Sequence, residues 1–341
     1  MAKDASTADP SVVLDLLEAF RRSKTMFAAV SLGVFDALSS GPKPLTVLAR
    51  ELRTDADALE RLLDACVGLQ LLRRGERGYE NSPPAAAYLA KNSPRRLTGY
   101  IHYSNDVMWK LWSNLEDAVR EGTHRWNQTF GWDGPIFANF FRSEEAKREF
   151  LMGMHGFGLI SSPRIVAAFD LSRFRSLVDL GGATGHLAIA ACERYPAMRA
   201  VVFDLPEAMP LAGEIVGASG VAERIRLMPG DFFTDDLPPG DLFALGRILH
   251  DWTEEKIVRL LTRIFERLAP GGALLIAEKL LDDDKSGPRW AQLQSLNMLT
   301  CTEGKERTIG EYEALLKQVG FAQVSGCRTP SPLDALLATK G

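Results

Sequence analysis

Residues 176–186 read SLVDLGGATGH, and this stretch decides the fold. Ser176 to Leu180 is a short apolar run of strand length. The glycines that follow, Gly181, Gly182 and Gly185, let the backbone turn sharply into a helix and let a ligand approach the main chain. Working outward toward the C-terminus, further apolar runs lie at 199–205 (RAVVFDL), 224–230 (RIRLMPG), 241–249 (DLFALGRIL) and 273–281 (ALLIAEKLL). Helical segments near 185–194, 206–216 and 253–267 separate them. Strands alternating with helices predict a doubly wound α/β sheet of parallel strands. A last helix near 309–318 precedes FAQVSGCRT and the apolar run LDALLAT.

Upstream the pattern is helical. SVVLDLLEAFRRSKTMFAAVSLGVFDAL carries apolar residues at helical spacing, with Gly33 as a break. Thr46 is read as the cap of a short helix and Asp55 as the opening of another. RRGERGY (73–79) has the look of a hairpin, which completes a winged-helix outline. Such an outline suggests DNA binding through the second helix. Between Asp55 and Leu69, however, stand four acids (Asp55, Asp57, Glu60, Asp64) and one base, Arg61. A helix facing phosphates is not net acidic, so a structural or dimerising module is favoured. Three segments follow: 1–95 as the winged-helix domain, 96–170 as a helical linker contributing aromatic side chains to a pocket, and 171–341 as the ligand-binding domain. Pro163 and LSRFRS are read as a hinge into the last of these.

The 341 residues include 40 Lys plus Arg against 44 Asp plus Glu, a formal charge of -4 that argues against a nucleic-acid partner. No apolar run is long enough to span a bilayer. The polar start, MAKDASTADPS, lacks an apolar signal core and is read as frayed, which places the protein in the cytoplasm. No two of Cys66, Cys192, Cys301 and Cys327 have CxxC spacing, and no HExxH occurs, so no metal is expected.

Two cofactors compete for the glycine loop. A nicotinamide dinucleotide needs GxGxxG, and the corresponding letters here are Gly181, Ala183 and His186, with Asp179 placed to repel a pyrophosphate. S-adenosylmethionine has no phosphate and carries two cationic groups, so an acid near the loop attracts it. It is the favoured ligand; an empty structural turn is the plain alternative. Asp204 ends the second strand about 20 residues on, where a carboxylate grips a ribose diol. Asp231 and Phe232, after Gly230, suit an adenine amine and its ring, though an ordinary turn with a core Phe reads equally well. Arg247, a charge in an apolar strand, marks a pocket wall or a buried pair.

A lone histidine is ordinarily structural. His250 stands just past the fourth strand, on the ligand side, beside the expected methyl donor. Methyl transfer to oxygen needs alignment and a deprotonated acceptor. Neutral histidine suits removal of a phenolic proton. Such a base gains from a carboxylate that fixes its tautomer. Glu278 ends the fifth strand; Glu306, in GKERT, reads by periodicity more readily as part of a solvated loop before a cap at Thr308.

Taken together, LVDLGGATGHLA, VFDLP, GDFF, RILHDW, IAEKLLD and SLNML with TEGKERT resemble the S-adenosylmethionine-dependent small-molecule O-methyltransferases of the caffeate and hydroxyindole type. LGVFDAL, LEDAVREGT, FRSEE and FDLSRF point to the hydroxyindole (acetylserotonin) branch and its methyltransferase-like relatives. The resemblance runs from about residue 15 to the C-terminus. It implies an N-terminal winged-helix dimerisation domain, a homodimer, and a Rossmann-like methyltransferase domain. It implies His250 as general base flanked by Glu278 and Glu306. Gly181, Gly182, Asp204, Leu205, Gly230, Asp231, Phe232 and Arg247 would lie at the cofactor, covered by Phe141 or Phe157. A small aromatic hydroxylated acceptor is implied, with Trp109, Met154, His155, Asn297, Met298 and Cys301 as pocket candidates. The same architecture also runs non-methylating chemistry on the bound cofactor, for which His250 and both glutamates are not required. Two positions depart from the family pattern. Ala183 replaces the middle glycine of DxGGGxG, tolerable where the backbone is not left-handed. Cys301 replaces a glutamine and cannot donate an amide hydrogen bond.

Overall fold

Gly33 breaks the apolar helical period where the sequence places it. In the computed structural model, which describes residues 8–134 and 136–341, the first helix runs Ser11–Ser31. Gly33 takes φ 77°, a left-handed turn, before Val34–Ala37. The first seven residues of the expected frayed start lie outside the described residues. The helix Leu45–Leu52 begins after Pro44 without a side-chain cap, so Thr46 sits inside the first turn and caps nothing. Asp55 does cap Ala56–Gly68, accepting from the Ala58 N–H at 2.9 Å.

The expected hairpin forms from β1 (Leu72–Gly75) and β2 (Gly78–Asn81), paired antiparallel. Its Arg74 bonds to Glu60 and Asp64 of the preceding helix, and the Tyr79 hydroxyl donates to Asp64 at 2.7 Å. The acids that argued against a groove-reading helix thus hold the ribbon in place. This unit reaches Asn105 rather than residue 95, because Ile101 of the helix Thr98–Tyr103 is buried in the same core as Phe35, Leu48 and Leu63. One face of Ser11–Ser31 stays uncovered: Val12, Val13, Leu16, Leu17 and Phe20 are each more than half exposed.

The second unit spans Asp106–Gly341. Its strands are β3 (Ser176–Leu180), β4 (Arg199–Asp204), β5 (Ile225–Pro229), β6 (Leu242–Gly246), β7 (Ala273–Glu278), β8 (Gln323–Cys327) and β9 (Asp334–Thr339). They form one sheet in the order β5-β4-β3-β6-β7-β9-β8. The five strands read from the apolar runs are parallel. The sheet is not wholly parallel, however. The C-terminal runs become β8 and β9, and β9 lies antiparallel to both β7 and β8. The chain between them is short enough for a hairpin but not for a parallel crossover.

Both faces of the sheet are covered. Ile257, Leu260, Leu261 and Ile264 of Glu254–Arg267 pack on one, with Tyr312, Leu315 and Leu316 of Ile309–Val319. Leu187, Ala188, Ala191 and Cys192 of His186–Arg194 pack on the other. Pro163 is no hinge. It lies near the end of the helix Glu144–Ile165, and Ile165, Val166, Leu171 and Phe174 beyond it are buried in the core beside Leu177. The chain runs outward from β3 in both directions, through β4 to one side and β6 to the other. That switch point opens a crevice at the carboxyl ends of the strands.

Candidate active site

The glycine loop sits at the switch point. Gly181 takes φ +66°, and a Cβ there would lie 2.5 Å from Ile248 Cδ1 and 3.4 Å from the Phe232 ring. The loop after β5 therefore meets the loop after β3. A Cβ on Gly182 would lie 2.8 Å from the Asp179 carboxyl, and one on Gly230 would lie 2.4 Å from the Phe203 ring.

Asp204, at the end of β4, anchors this loop. Its Oδ2 accepts from the Ala183 N–H and its Oδ1 from the Leu205 N–H, both at 2.7 Å. Burial pushes the Asp204 carboxyl up to about 6. Asp179 is more deeply enclosed, and burial raises its carboxyl to about 7. Both acids thus resist ionising where they stand, and a cation nearby would favour their charged forms. Asp231 accepts from the Phe233 N–H at 2.8 Å through one oxygen, closing its own turn.

Ala183 corrects the expectation attached to it. Its φ is 50°, inside the left-handed region that its methyl disfavours. The loop tolerates this because Asp204 holds the Ala183 N–H and the Ala183 side chain packs in a cluster with Leu151, Leu211 and Phe141. Ala183→Gly therefore raises the unfolding free energy by about 1 kcal/mol in urea denaturation. An unchanged or lower value would show that the methyl contact outweighs the strain.

At the end of β6, Arg247 also takes a left-handed φ, 58°, a backbone strain characteristic of functional sites. Its guanidinium lies 5.6 Å from the centre of the Phe157 ring. Its Nε is buried with no hydrogen-bond partner among the described residues. The orphaned Arg247 donor, the acids Asp179 and Asp204 and the glycine turn all lie at the carboxyl ends of β3, β4 and β6. This donor set fits a ligand with both a carboxylate and cationic groups, as S-adenosylmethionine has.

Beyond Arg247 the chain makes a single 3-10 turn, Leu249–Asp251, and buries His250 to 2% exposure. Glu278 Oε1 shapes that turn by accepting from the N–H groups of Ile248 and Leu249 at 3.0 and 2.8 Å. Its Oε2 lies 3.4 Å from His250 Nδ1. Glu306 Oε1 lies nearer, 2.6 Å from the same nitrogen. Burial raises the Glu278 carboxyl and pushes Glu306 up to about 8. These side chains bring one nitrogen and two oxygens within 4.8 Å of one another. Nδ1 is committed to Glu306, and Glu278 Oε1 to two amides. His250 Nε2 lies 3.7 Å from Asp251 Oδ1, whose carboxyl burial raises to about 7.

Sequence reasoning missed Gly304. A Cβ there would lie 2.3 Å from the His250 carbonyl and 2.8 Å from the Trp252 backbone. The Glu306 loop reaches the histidine because this position is glycine. Its only sequence signal is a glycine in an otherwise charged run.

The acceptor-side candidates divide. Asn297 Oδ1 accepts from Trp112 Nε1 at 2.7 Å. Trp112 is thus bonded to Asn297; it and the candidate Trp109 lie at opposite ends of one helical turn, Trp109–Trp112. Met298 is buried at 4% exposure on the same helix, Arg289–Cys301. Cys301 is turned inward: its thiol donates to the Asn297 carbonyl at 3.2 Å, and burial raises its pKa. His155 bonds through Nδ1 to Thr184 Oγ1 at 2.9 Å, which places it on the glycine loop rather than beside Asn297. Met154, one residue earlier, is half-buried. Trp252 links the loops, with its ring 5.1 Å from Phe233 and 5.6 Å from Phe137.

Comparison with known proteins agrees with this geometry. The O-methyltransferase domain family matches residues 112–322, and the O-methyltransferase dimerisation domain family matches 14–91. This chain belongs to the O-methyltransferase family. Acetylserotonin O-methyltransferase of Gallus gallus is 40% identical over 97% of each chain. The structure of human N-acetylserotonin methyltransferase in complex with SAM superposes with a TM-score of 0.93 at 38% identity, covering 99% of both chains. A human protein described as a probable bifunctional dTTP/UTP pyrophosphatase/methyltransferase is 41% identical over 97% of this chain, which spans 54% of that protein's length. The resemblance read from the motifs and the two-part fold class are thereby borne out. As an enzyme of this family, the chain is an O-methyltransferase.

Proposed function

We propose that this O-methyltransferase moves the methyl group of S-adenosylmethionine to a hydroxyl, phenolic or hydroxyindole-like, on a small aromatic acceptor, with His250 as general base. The observation that carries this reading is the 2.6 Å bond between His250 Nδ1 and Glu306, buried next to the glycine loop. When bound, S-adenosylmethionine supplies an electrophilic methyl on a sulfonium. The protein's task is to hold donor and acceptor in line and to remove the hydroxyl proton.

Asp204 receives the ribose hydroxyls while keeping the Ala183 and Leu205 amides. Asp231 and Phe232 take the adenine, and Arg247 the carboxylate end. On the acceptor side, Glu306 holds the proton on Nδ1 of His250, so that Nε2 presents its lone pair to the acceptor hydroxyl. As the proton moves to Nε2, the imidazolium is stabilised by Glu306 and Glu278. Asn297, oriented by Trp112, and Met298 line the acceptor side. A screen of hydroxyindoles, catechols, phenolic acids and polyketides, read by release of S-adenosylhomocysteine, tests the reading. Release with at least one class is expected. No release with any class would overturn it.

The working form in this reading is a homodimer. The exposed stripe of Val12, Val13, Leu16, Leu17 and Phe20 lies on the helix at whose residue 14 the dimerisation-family match begins. Covering such side chains contributes about 1.5–3 kcal/mol each. Light scattering at micromolar concentration should give twice the chain mass; a monomer would remove the claim. Among the described residues no helix is long and apolar enough to cross a membrane. All four cysteines are free, in keeping with a reducing cytoplasmic setting.

A further inference from the structure

Arg307 follows Glu306 and is 1% exposed, a depth at which arginine is retained only with charge partners. One nitrogen of its guanidinium, Nη1, donates to the carbonyl of Lys305 at 3.1 Å and to that of Leu249 at 3.4 Å. Those are the residues immediately before Glu306 and immediately before His250. The Arg307 carbonyl in turn accepts from the Leu281 N–H at 3.0 Å, on the chain that continues beyond β7 and Glu278. One residue therefore ties together the three pieces of chain that carry His250, Glu278 and Glu306. Its nearest outward acid, Glu254, is 3.9 Å from Nε and largely exposed. Its inner neighbour is the Tyr312 ring, 5.9 Å away.

We propose that Arg307 is a positioning residue for methyl transfer: it locks the His250 turn to the Glu306 loop and favours the anionic form of Glu306, which accepts from His250 Nδ1. The proposal rests on His250 being the base. If Glu306 carries a proton, it donates that proton to Nδ1. The imidazole hydrogen then moves to Nε2, which can no longer accept from the substrate. Burial drives Glu306 toward that protonated form.

The charged and titratable groups around Glu306 come from every neighbouring element. They are Arg247 after β6, His250 and Asp251 in the turn, Glu278 and Lys279 at the end of β7, Asp334 of β9, and Tyr312 of the last helix. Lys279 is paired with Asp334 at 3.1 Å, and Arg247 faces Phe157 on the cofactor side. Arg307 is the cation that the backbone bonds couple to both loops.

The test uses Arg307→Gln and Arg307→Lys in the full-length protein, with S-adenosylmethionine and an acceptor found in the screen. For Arg307→Gln, kcat near neutral pH should fall about tenfold or more. The acid limb of its pH profile should move up by about one unit, because a cation that favoured the carboxylate is gone. Affinity for S-adenosylhomocysteine should stay unchanged by calorimetry. Arg307→Lys should keep the limb in place with a lowered kcat.

Nitrogen NMR of the His250 ring, free of any turnover and recorded just above pH 8, where the parent's Glu306 is ionised, should show the proton chiefly on Nδ1 in the parent and shifted toward Nε2 in Arg307→Gln. A parental kcat and limb, or an unaltered tautomer, in Arg307→Gln would overturn the proposal. If that variant does not fold, Arg307→Lys decides: a displaced limb or an unchanged kcat overturns it. Should the parent protein methylate no acceptor, the methyl-transfer reading fails, and the NMR result still judges Arg307.

Discussion

His250→Ala lowers kcat by roughly a hundred- to ten-thousand-fold while leaving affinity for S-adenosylmethionine unchanged. The size follows from removing the group that takes the hydroxyl proton; the unaltered affinity follows from geometry. The loop that would hold the cofactor is built by Asp204, Gly181 and Ala183, none of which uses the imidazole. The variant should also lose discrimination by acceptor pKa: phenols acidic enough to ionise unaided keep more of their rate than weakly acidic ones. In the parent, raising pH through the Glu306 transition increases the rate, because the ionised carboxylate holds Nδ1–H and frees Nε2. Burial lifts that transition to about 8, with Arg247, Arg307 and Lys279 acting against it. Steady-state kinetics with paired calorimetry checks the prediction. A fully active His250→Ala would mean that the acceptor ionises without the imidazole.

Asp204→Ala weakens S-adenosylmethionine binding by about a hundredfold or more, since two bonds to a charged acceptor, each contributing about 1.5–3 kcal/mol, are lost together. The two amides that Asp204 holds, on Ala183 and Leu205, lose their acceptors as well, and the strained Ala183 loses its tether. Asp204→Asn keeps one oxygen and should fall between the parent and the alanine variant. The pH dependence has a definite sign. Burial places the Asp204 carboxyl at about 6 in the free protein, so the carboxylate is present above that pH and is lost as pH falls through it. Affinity should therefore decline on the acid side of about 6 in the parent and show no such step in Asp204→Asn. Calorimetry across that range decides; undiminished affinity in Asp204→Ala would refute the assignment.

The two glutamates beside His250 show where sequence reasoning stops. Glu278 could be singled out because a carboxylate closing an apolar strand is conspicuous. Glu306 could be singled out only through the family resemblance, because by periodicity GKERT reads as a solvated loop before a helix cap. In the fold it is 1% exposed, and its loop docks because Gly304 carries no side chain to collide with the His250 carbonyl. The acceptor side was less legible still. Trp112 and Asn297 stand 185 residues apart and meet only across packed helices. His155 bonds through Nδ1 to Thr184 of the glycine loop, a contact between residues 29 apart that its sequence neighbours do not announce.

Some properties are local and can be read directly from the chain. The alternation of apolar runs and helices, the Asp55 cap, the Gly33 break and the run from β3 into the glycine loop depend on side chains a few positions apart. Periodicity and turn chemistry specify them before anything packs. Other properties depend on distant segments sharing one space. The antiparallel β9, the left-handed Ala183 held by Asp204, and the burial that turns Glu306 and Arg307 into parts of one cluster arise only when the sheet closes. Tertiary structure decided them, because desolvation and hydrogen bonding between remote residues set the charge and conformation of each.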